Sequence, residues 1–273
     1  RLALMDKMSR GELPFVVATV EALLQRTLSP QVLSQCRLEL KVGGSYYLNE
    51  LSDTLTAAGY TRCDQVEGVG QFALRGGILD VFSPLMEQPV RCEFFDDEID
   101  SLGLFDPGTQ RRIRNVSSAR ILPAAEVLPH CAPGGLPGLA DQLTALAEKL
   151  AKKQKTEAIV QTLREDAERL RSGAAPGAAD RYLAAIYPTV TAGVHYLPPD
   201  AVVFLSESGR VDERVKNTVL QQKQDVEALL SAGVLAGEYA HLTLTAEELY
   251  AALEDFPVIL EDSLPTSRHP LRL

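Results

Sequence analysis

Apolar residues near the start of the chain form one continuous, largely β-branched run. Residues 15–20 have the sequence FVVATV, and an uninterrupted run of this kind is typical of a strand buried on both faces of a parallel sheet. Thr19 stands where a helix N-cap is expected, and residues 21–25 continue with helical character. A strand followed directly by a helix predicts an α/β domain.

The next region alternates apolar and polar residues instead. Leu38 and Leu40 alternate with charged residues, which predicts a half-buried strand. A helix is predicted over residues 49–58, with Asn49 as N-cap and Gly59 as its terminator. Four extended stretches follow, at 70–74, 77–82, 90–95 and 99–105. One helix and an antiparallel meander together predict a compact α+β domain.

Helical spacing returns in the last half of the chain. Six Pro and Gly residues within 129–138 predict a linker. Other expected elements are helices over 139–150, 159–170 and 212–232, and a second apolar strand over 201–205. Thr245 and Glu248 have the spacing of a capping box at the start of a last helix.

The two α/β regions flank the antiparallel region, which determines the predicted domain organisation. The fold class is α/β, with one discontinuous parallel-sheet domain formed by residues 1–35 and 121–273. The inserted α+β domain covers residues 36–120. Its strand pattern differs from that of the flanking regions at both junctions, so we expect it to be separable.

Composition and charge exclude several classes of protein. Apolar residues make up 45% and charged residues 23% of the 273 residues, which is typical of a folded globular chain. The formal net charge is −10, and the insertion has nine basic against thirteen acidic side chains. This balance opposes the counterion release that drives DNA binding. We therefore expect weak or no binding of duplex DNA by this chain alone.

Cysteine spacing and hydropathy indicate the compartment. The four cysteines are far apart and form no CxxC pair, so neither a zinc site nor a disulfide framework is expected. No apolar run approaches the roughly 18 residues of a membrane-spanning helix, and the first residues lack the charged, apolar and small-residue order that is typical of a signal peptide. We expect a cytoplasmic protein without membrane contact. Because the chain opens at Arg1 rather than Met, we also expect it to be a piece of a longer polypeptide.

Motifs for nucleotide, metal or covalent chemistry are missing. The sequence contains no GxxxxGK[ST], and Ser206 stands where a strand would supply the Asp that holds Mg²⁺. Five carboxylates lie within residues 93–100, but Ser101 occupies the position at which a calcium loop needs Gly. The four histidines are scattered. We expect no catalytic residues, no metal and no cofactor.

The best candidate for an interaction surface is a pair of arginines close to an aromatic pair. Arg75 precedes a double glycine, and Arg91 lies just before Phe94 and Phe95. Strand alternation requires one of the two rings to face outward, and an arginine beside an exposed ring is typical of an interface hot spot. Alternatively, the arginines only form ion pairs with Asp80 or Glu93 on the sheet. The first interpretation predicts that Arg75, Arg91 and Phe95 are exposed.

Several segments together resemble the N-terminal module of bacterial transcription-repair coupling factors, which is similar to the repair subunit UvrB. They are RGGILDVFSP at 75–84, RCEFFDDEIDS at 91–101, FDPGTQR at 105–111, residues 66–72, and VVATVEALLQ at 16–25. The resemblance is specific over residues 12–126 and weaker, though consistent, to the end of the chain.

The resemblance implies a function for the module. In this family it recruits the excinuclease subunit UvrA during transcription-coupled nucleotide excision repair, and the recruiting face maps onto Arg75, Arg91 and Phe95. The discontinuous domain would be a degenerate, P-loop-type helicase fold, and the insertion would be similar to domain 2 of UvrB. Longer members also bind RNA polymerase and double-stranded DNA and carry an ATP- and Mg-dependent translocase motor. This chain itself would not be an enzyme.

Two other functions stay open. One is a UvrB-like, ATP-dependent subunit that recognises DNA damage, which would need an upstream phosphate loop and a DNA-clamping hairpin. The other is a metal nuclease, which an assay of plasmid cleavage with Mg²⁺ or Mn²⁺ would test. Neither has its motif in this sequence.

Overall fold

The computed structural model describes residues 1–152 and 157–263. Contacts divide them into two units, one made of residues 1–6 and 30–128 and the other of residues 7–29 and those from 129 onward. The helices are α1 (Leu2–Ser9), α2 (Val20–Leu24), α3 (Pro30–Gln35), α4 (Leu48–Ala57), α5 (Gly135–Lys152), α6 (Glu157–Arg171), α7 (Leu183–Ile186), α8 (Ser208–Ser231) and α9 (Ala246–Leu253). The strands are β1 (Leu38–Lys41), β2 (Thr61–Arg62), β3 (Gln71–Arg75), β4 (Ile78–Val81), β5 (Val90–Phe95), β6 (Glu98–Phe105), β7 (Arg112–Val116), β8 (Ser118–Ile121), β9 (Val203–Ser206) and β10 (Val258–Glu261).

A six-stranded sheet dominates the first unit. Its order is β2-β3-β4-β5-β6-β7, and every neighbouring pair except β2 and β3 is antiparallel. The predicted meander is therefore confirmed, with β7 added at its edge. One register line across the sheet aligns Ala73, Asp80, Arg91 and Gly103, so these four side-chain positions share one face.

The opposite face of the sheet packs on the core. Buried residues of this core come from the strands and from α4, and they include Phe72, Leu79, Val81, Cys92, Leu102, Leu51 and Leu55. Alternation along each strand explains why one face is apolar and the other carries charge. A second, smaller sheet pairs β1 with β8. The predicted strand at Leu38 and Leu40 is thus confirmed.

Helix α4 begins one residue before the predicted start. Tyr47 is its N-cap and makes no side-chain capping hydrogen bond, so the predicted Asn49 cap is wrong. The predicted end is confirmed, because Gly59 has a φ of +85°. A Cβ on Gly59 would lie 2.9 Å from the Cβ of Ala125, which gives glycine a second reason to occupy this position.

The second unit contains a two-stranded parallel sheet formed by β9 and β10. The predicted strand at 201–205 is present, but its burial on both faces is not. Phe204 lies opposite Ile259 in the register, and Phe204 is 64% exposed. Helix α8 follows β9 directly, and Thr245 and Glu248 form the predicted capping box at α9.

The apolar run at 15–20 is not the predicted strand. Phe15 is 79% and Val17 90% exposed, and residues 15–19 have no regular secondary structure. Within the described residues this run has no strand beside it, and an isolated strand leaves its backbone groups unpaired. The predicted cap is confirmed, since the Thr19 hydroxyl accepts a hydrogen bond from the Ala22 amide at 3.4 Å.

The predicted linker at 129–138 is largely ordered. A short 3-10 helix covers Pro129–Cys131, and α5 starts at Gly135 with Leu136 and Leu139 buried. A Cβ on Gly138 would clash with the carbonyl oxygen of Pro133, so this glycine permits a close backbone approach. The helices predicted over 139–150 and 159–170 are α5 and α6. The domain boundaries at 35 and 120 stay a prediction.

Candidate protein-interaction surface

Arg75 and Arg91 converge on one carboxylate. Asp80, in the middle of the sheet, is fully buried. Arg91 donates to both of its oxygens, from Nε to Oδ1 at 2.7 Å and from Nη2 to Oδ2 at 2.8 Å. Arg75 donates from Nη2 to Oδ2 at 2.7 Å. The ion-pair arrangement considered from the sequence is therefore present, and it links the two arginines to each other through Asp80.

Arg91 lies largely beneath the surface. Its side chain is 17% exposed, its guanidinium stacks 4.5 Å from the centre of the Phe105 ring, and it donates to the carbonyl and side-chain oxygens of Gln110 at 3.3 and 3.0 Å. The hydrogen bonds that Arg91 donates to Asp80 raise the pKa of Arg91 against the opposing effect of burial. The predicted exposure of Arg91 is therefore wrong. Asp80 and Gln110 already accept hydrogen bonds from most of its N–H donors.

Gln110 is a site residue that the sequence did not indicate. It has a φ of +60°, and its amide donates to the carbonyl oxygens of Val66 at 3.1 Å and Pro107 at 2.8 Å. A turn precedes it, in which the Asp106 carboxylate accepts from the Thr109 amide at 2.7 Å. The Asp-Pro-Gly-Thr sequence predicts such a turn, but nothing local shows that the next residue reaches β5.

Phe95 is the most exposed part of the candidate surface. Its side chain is 81% exposed, whereas Phe94 packs on the core, as alternation predicts. The Phe94 amide donates to the Gly77 carbonyl oxygen at 2.8 Å. Arg75, just before that glycine turn, and Phe95 therefore lie at the same end of the sheet. Arg75 is also exposed, with 45% of its side chain accessible.

A second ion pair lies two residues further along β5, on the same face of the sheet. Arg112 contacts Glu93 at 2.8 Å, and the Ser101 hydroxyl donates to the same carboxylate at 2.6 Å. Ser101 first and Arg112 next hold the pKa of Glu93 below its usual value. A Cβ on Gly103 would lie 2.7 Å from Nε of Arg112, so the missing side chain lets that guanidinium lie across the sheet.

The acidic residues after Phe95 form the turn between β5 and β6. Asp96 has a φ of +58°, and Asp97 accepts a hydrogen bond from the Ser45 hydroxyl at 2.7 Å. Among residues 1–152 and 157–263, no group of three or more His, Cys, Asp or Glu side chains could hold a metal ion. The structure thus places the acidic stretch at a hairpin tip.

The region considered for nucleotide binding has its own internal contacts. Ser206 ends β9, and Glu207 follows with a φ of +57° before α8 begins. Asp262 occupies the N-terminus of α8, where it accepts from the amide and the hydroxyl of Ser208 at 2.6 and 2.9 Å. A carboxylate of this chain therefore lies where a helix N-terminus would receive a phosphate.

Comparison with known families defines the class of the sheet domain. Residues 38–126 match the UvrB interaction domain, which covers the six-stranded sheet, β1, β8 and α4. All the side chains of the candidate surface lie inside this match. In the described parts of the chain, no helix has both the length and the apolar content needed to cross a bilayer.

The relatives are transcription-repair coupling factors. The chain is 30% identical over 236 residues to that of Bacillus subtilis (strain 168), which covers 85% of this chain and 20% of the relative. It is 40% identical over 119 residues to that of Escherichia coli (strain K12), and this match covers 44% of this chain and 10% of the relative. The Staphylococcus aureus (strain RF122) protein is 24% identical over 268 residues, and this match covers 94% of this chain and 22% of the relative. The chain therefore spans about a fifth of the length of the B. subtilis relative. Its resemblance to the N-terminal region of this family, with a UvrB interaction domain, is confirmed.

Proposed function

We propose that this chain is a noncatalytic interaction module of a transcription-repair coupling factor, and that its UvrB interaction domain recruits UvrA to stalled RNA polymerase. The match over residues 38–126 supports this role. The observation that carries the proposal is the exposure of both Phe95 and Arg75 near the same end of the sheet.

The composition of this end fits an interface hot spot. Aromatic and arginine side chains contribute most of the binding energy in many protein interfaces, because a ring fills a pocket while a guanidinium forms charge-assisted hydrogen bonds. Phe95 has little contact with its own chain, so a partner would remove most of its surface from water. Arg91 contributes from beneath the surface, through its contact with Asp80.

Other properties of the longer family members belong to the proposal rather than to this chain. The second unit would be a degenerate helicase-like domain, which the β9-to-α8 connection and Ser206 support. ATP, Mg²⁺, double-stranded DNA and RNA polymerase would be bound elsewhere in a longer, cytoplasmic protein. The absence of a GxxxxGK[ST] motif from this sequence favours the interaction module over a UvrB-like ATPase.

Titration of the chain with purified UvrA tests the proposal. We expect binding in the micromolar range, and we expect Phe95→Ala and Arg75→Ala each to weaken it about 30-fold or more. Matched controls are Phe15→Ala, which removes an equally exposed ring from the other unit, and Arg114→Ala, which removes an exposed arginine from β7. Both controls should bind like the original chain. No binding, or equal losses in controls and test variants, would refute the proposal.

A further inference from the structure

We propose that buried Asp80 is a positioning residue, which holds the guanidinium of Arg75 in place so that it receives a carboxylate of the partner. The proposal rests on the recruiting role proposed above for the identity of that partner. Asp80 itself lies inside the sheet and cannot touch the partner.

The carboxylate of Asp80 is itself held in one orientation. Arg91 grips both oxygens, and a bidentate arginine fixes the plane of the carboxylate as well as its position. Arg91 is fixed in turn by the Phe105 ring and by Gln110. The remaining acceptor direction of Oδ2 is taken by Nη2 of Arg75. The position of Arg75 is therefore set by residues that remain below the surface.

The charges in this arrangement do not cancel. One carboxylate faces two guanidinium groups, which leaves a net charge of one positive unit, and Arg75 is the more exposed of the two. A guanidinium has five N–H donors, and the side chain of Arg75 makes one hydrogen bond within the described residues, to Asp80. Exposed positive charge with unused donors in a planar fork is best matched by a carboxylate.

Holding Arg75 also reduces the cost of binding. A long side chain loses rotamer freedom when it is ordered at an interface. Because Asp80 already restrains the guanidinium in the unbound chain, less freedom remains to be lost. The contribution of Arg75 to binding should thus depend on Asp80, although only Arg75 reaches the partner.

A double-mutant cycle with UvrA tests this dependence. We expect Arg75→Ala to weaken binding about 30-fold or more and Asp80→Asn about tenfold or more. The double variant should bind no more weakly than Arg75→Ala alone. Circular dichroism at the titration temperature would verify that each variant is folded. Losses that multiply in the double variant, or unchanged binding by folded Asp80→Asn, would overturn the proposal.

A second measurement needs no partner and separates this proposal from the recruiting role. Side-chain NMR of the arginine Nε–H groups reports how restrained each guanidinium is. In the unchanged chain we expect Arg75 to be more ordered than exposed Arg114, and this comparison holds even if Asp80→Asn fails to fold. Asp80→Asn should release Arg75, whereas Glu93→Gln, which removes a carboxylate from the same face, should not. Equal mobility of Arg75 and Arg114 in the unchanged chain would refute the positioning role, while an ordered Arg75 without UvrA binding would refute only the recruiting role.

Discussion

Asp80 and Arg91 lie directly opposite each other on β4 and β5, and the arginine donates hydrogen bonds to both oxygens of the buried carboxylate. This pair is embedded in the same sheet face from which Arg75 and Phe95 project. A buried ion pair tolerates the loss of one partner poorly, because the remaining charge stays in a medium that solvates it badly. We therefore expect Arg91 to act mainly on the stability of the chain and Arg75 to act mainly on binding.

Arg91→Ala should destabilise the chain, whereas Arg75→Ala should hardly do so. Removal of Arg91 leaves the Asp80 charge without its bidentate partner, and breaking such a buried pair costs about 3–5 kcal/mol. Arg75 is half exposed, so its contribution to stability should be about 0–1 kcal/mol. Urea unfolding followed by circular dichroism measures both values. Equal unfolding free energies for the two variants would contradict this assignment.

Phe94→Ala and Phe95→Ala should have opposite effects on stability and binding. Phe94 packs partly on the sheet core. Truncation of a fully buried Phe lowers the free energy of unfolding by about 3–5 kcal/mol, and we expect a somewhat smaller loss for Phe94→Ala. Truncation of Phe95 should leave the unfolding midpoint unchanged, because the ring is exposed. Thermal unfolding of the two variants side by side checks this. A lower midpoint for Phe95→Ala would show that its ring packs on its own chain.

The stability of the chain should fall in acid partly through Glu93. Its pKa in the folded chain is lowered from the ordinary 4.5 by Ser101 first and by Arg112 next. The stabilisation is therefore fully present above pH 4.5 and is lost as the pH falls through the lower, folded value. We expect the melting temperature to fall less steeply below that pH in Glu93→Gln. Parallel melting curves of the two proteins in acid would contradict this expectation.

Mg-ATP should not bind this chain. The sequence has no phosphate loop, Ser206 offers no carboxylate to Mg²⁺, and Asp262 occupies the N-terminus of α8. Calorimetric titration should give no binding heat, and Ser206→Asp should behave in the same way because the phosphate loop is still missing. Micromolar affinity for Mg-ATP would disprove the prediction and favour the UvrB-like ATPase.

Within the described residues, chymotrypsin should cleave first after Phe15. This ring is 79% exposed and lies in a segment without regular structure, where the backbone can enter a protease without unfolding a strand. Phe204 and Phe95 are also exposed but lie in strands. Mass spectrometry of early fragments identifies the site, and Phe15→Ala should slow the first cut. An earlier cut after Phe95 or Phe204 would be inconsistent with this order.

The elements with a clear period were predictable from the sequence. The alternation of apolar and polar residues in β3 to β6 fits only a strand. The leucine spacing in α5 and α6 fits only a helix. The apolar run at 15–20 misled because its prediction assumed neighbouring strands, which no local pattern can supply. The glycines at 135 and 138 also misled, because both lie inside the first turn of α5 and Gly138 permits the close approach of Pro133 instead of marking a linker.

The candidate surface was predictable in part. Arg75 and Phe95 are exposed as expected, because alternation alone places their side chains. The depth of Arg91 depends on Phe105 and Gln110, which approach it from other parts of the chain. Gln110 reaches it only through a backbone conformation with positive φ, and a non-glycine residue gives little sequence signal for that conformation.

The largely exposed segment at 15–19 has a consequence for handling the protein. It contains five residues without charge or proline, most of them β-branched or aromatic. Uncharged segments of this kind stack into intermolecular β-structure when they are accessible. Concentrated solutions should therefore form fibrils that bind thioflavin T, starting from this segment. Replacing Val17, which is 90% exposed, with Lys would place a charge within the stacked strand and delay the appearance of fibrils. The residues of the sheet that carries Arg75 and Phe95 stay unchanged in this variant.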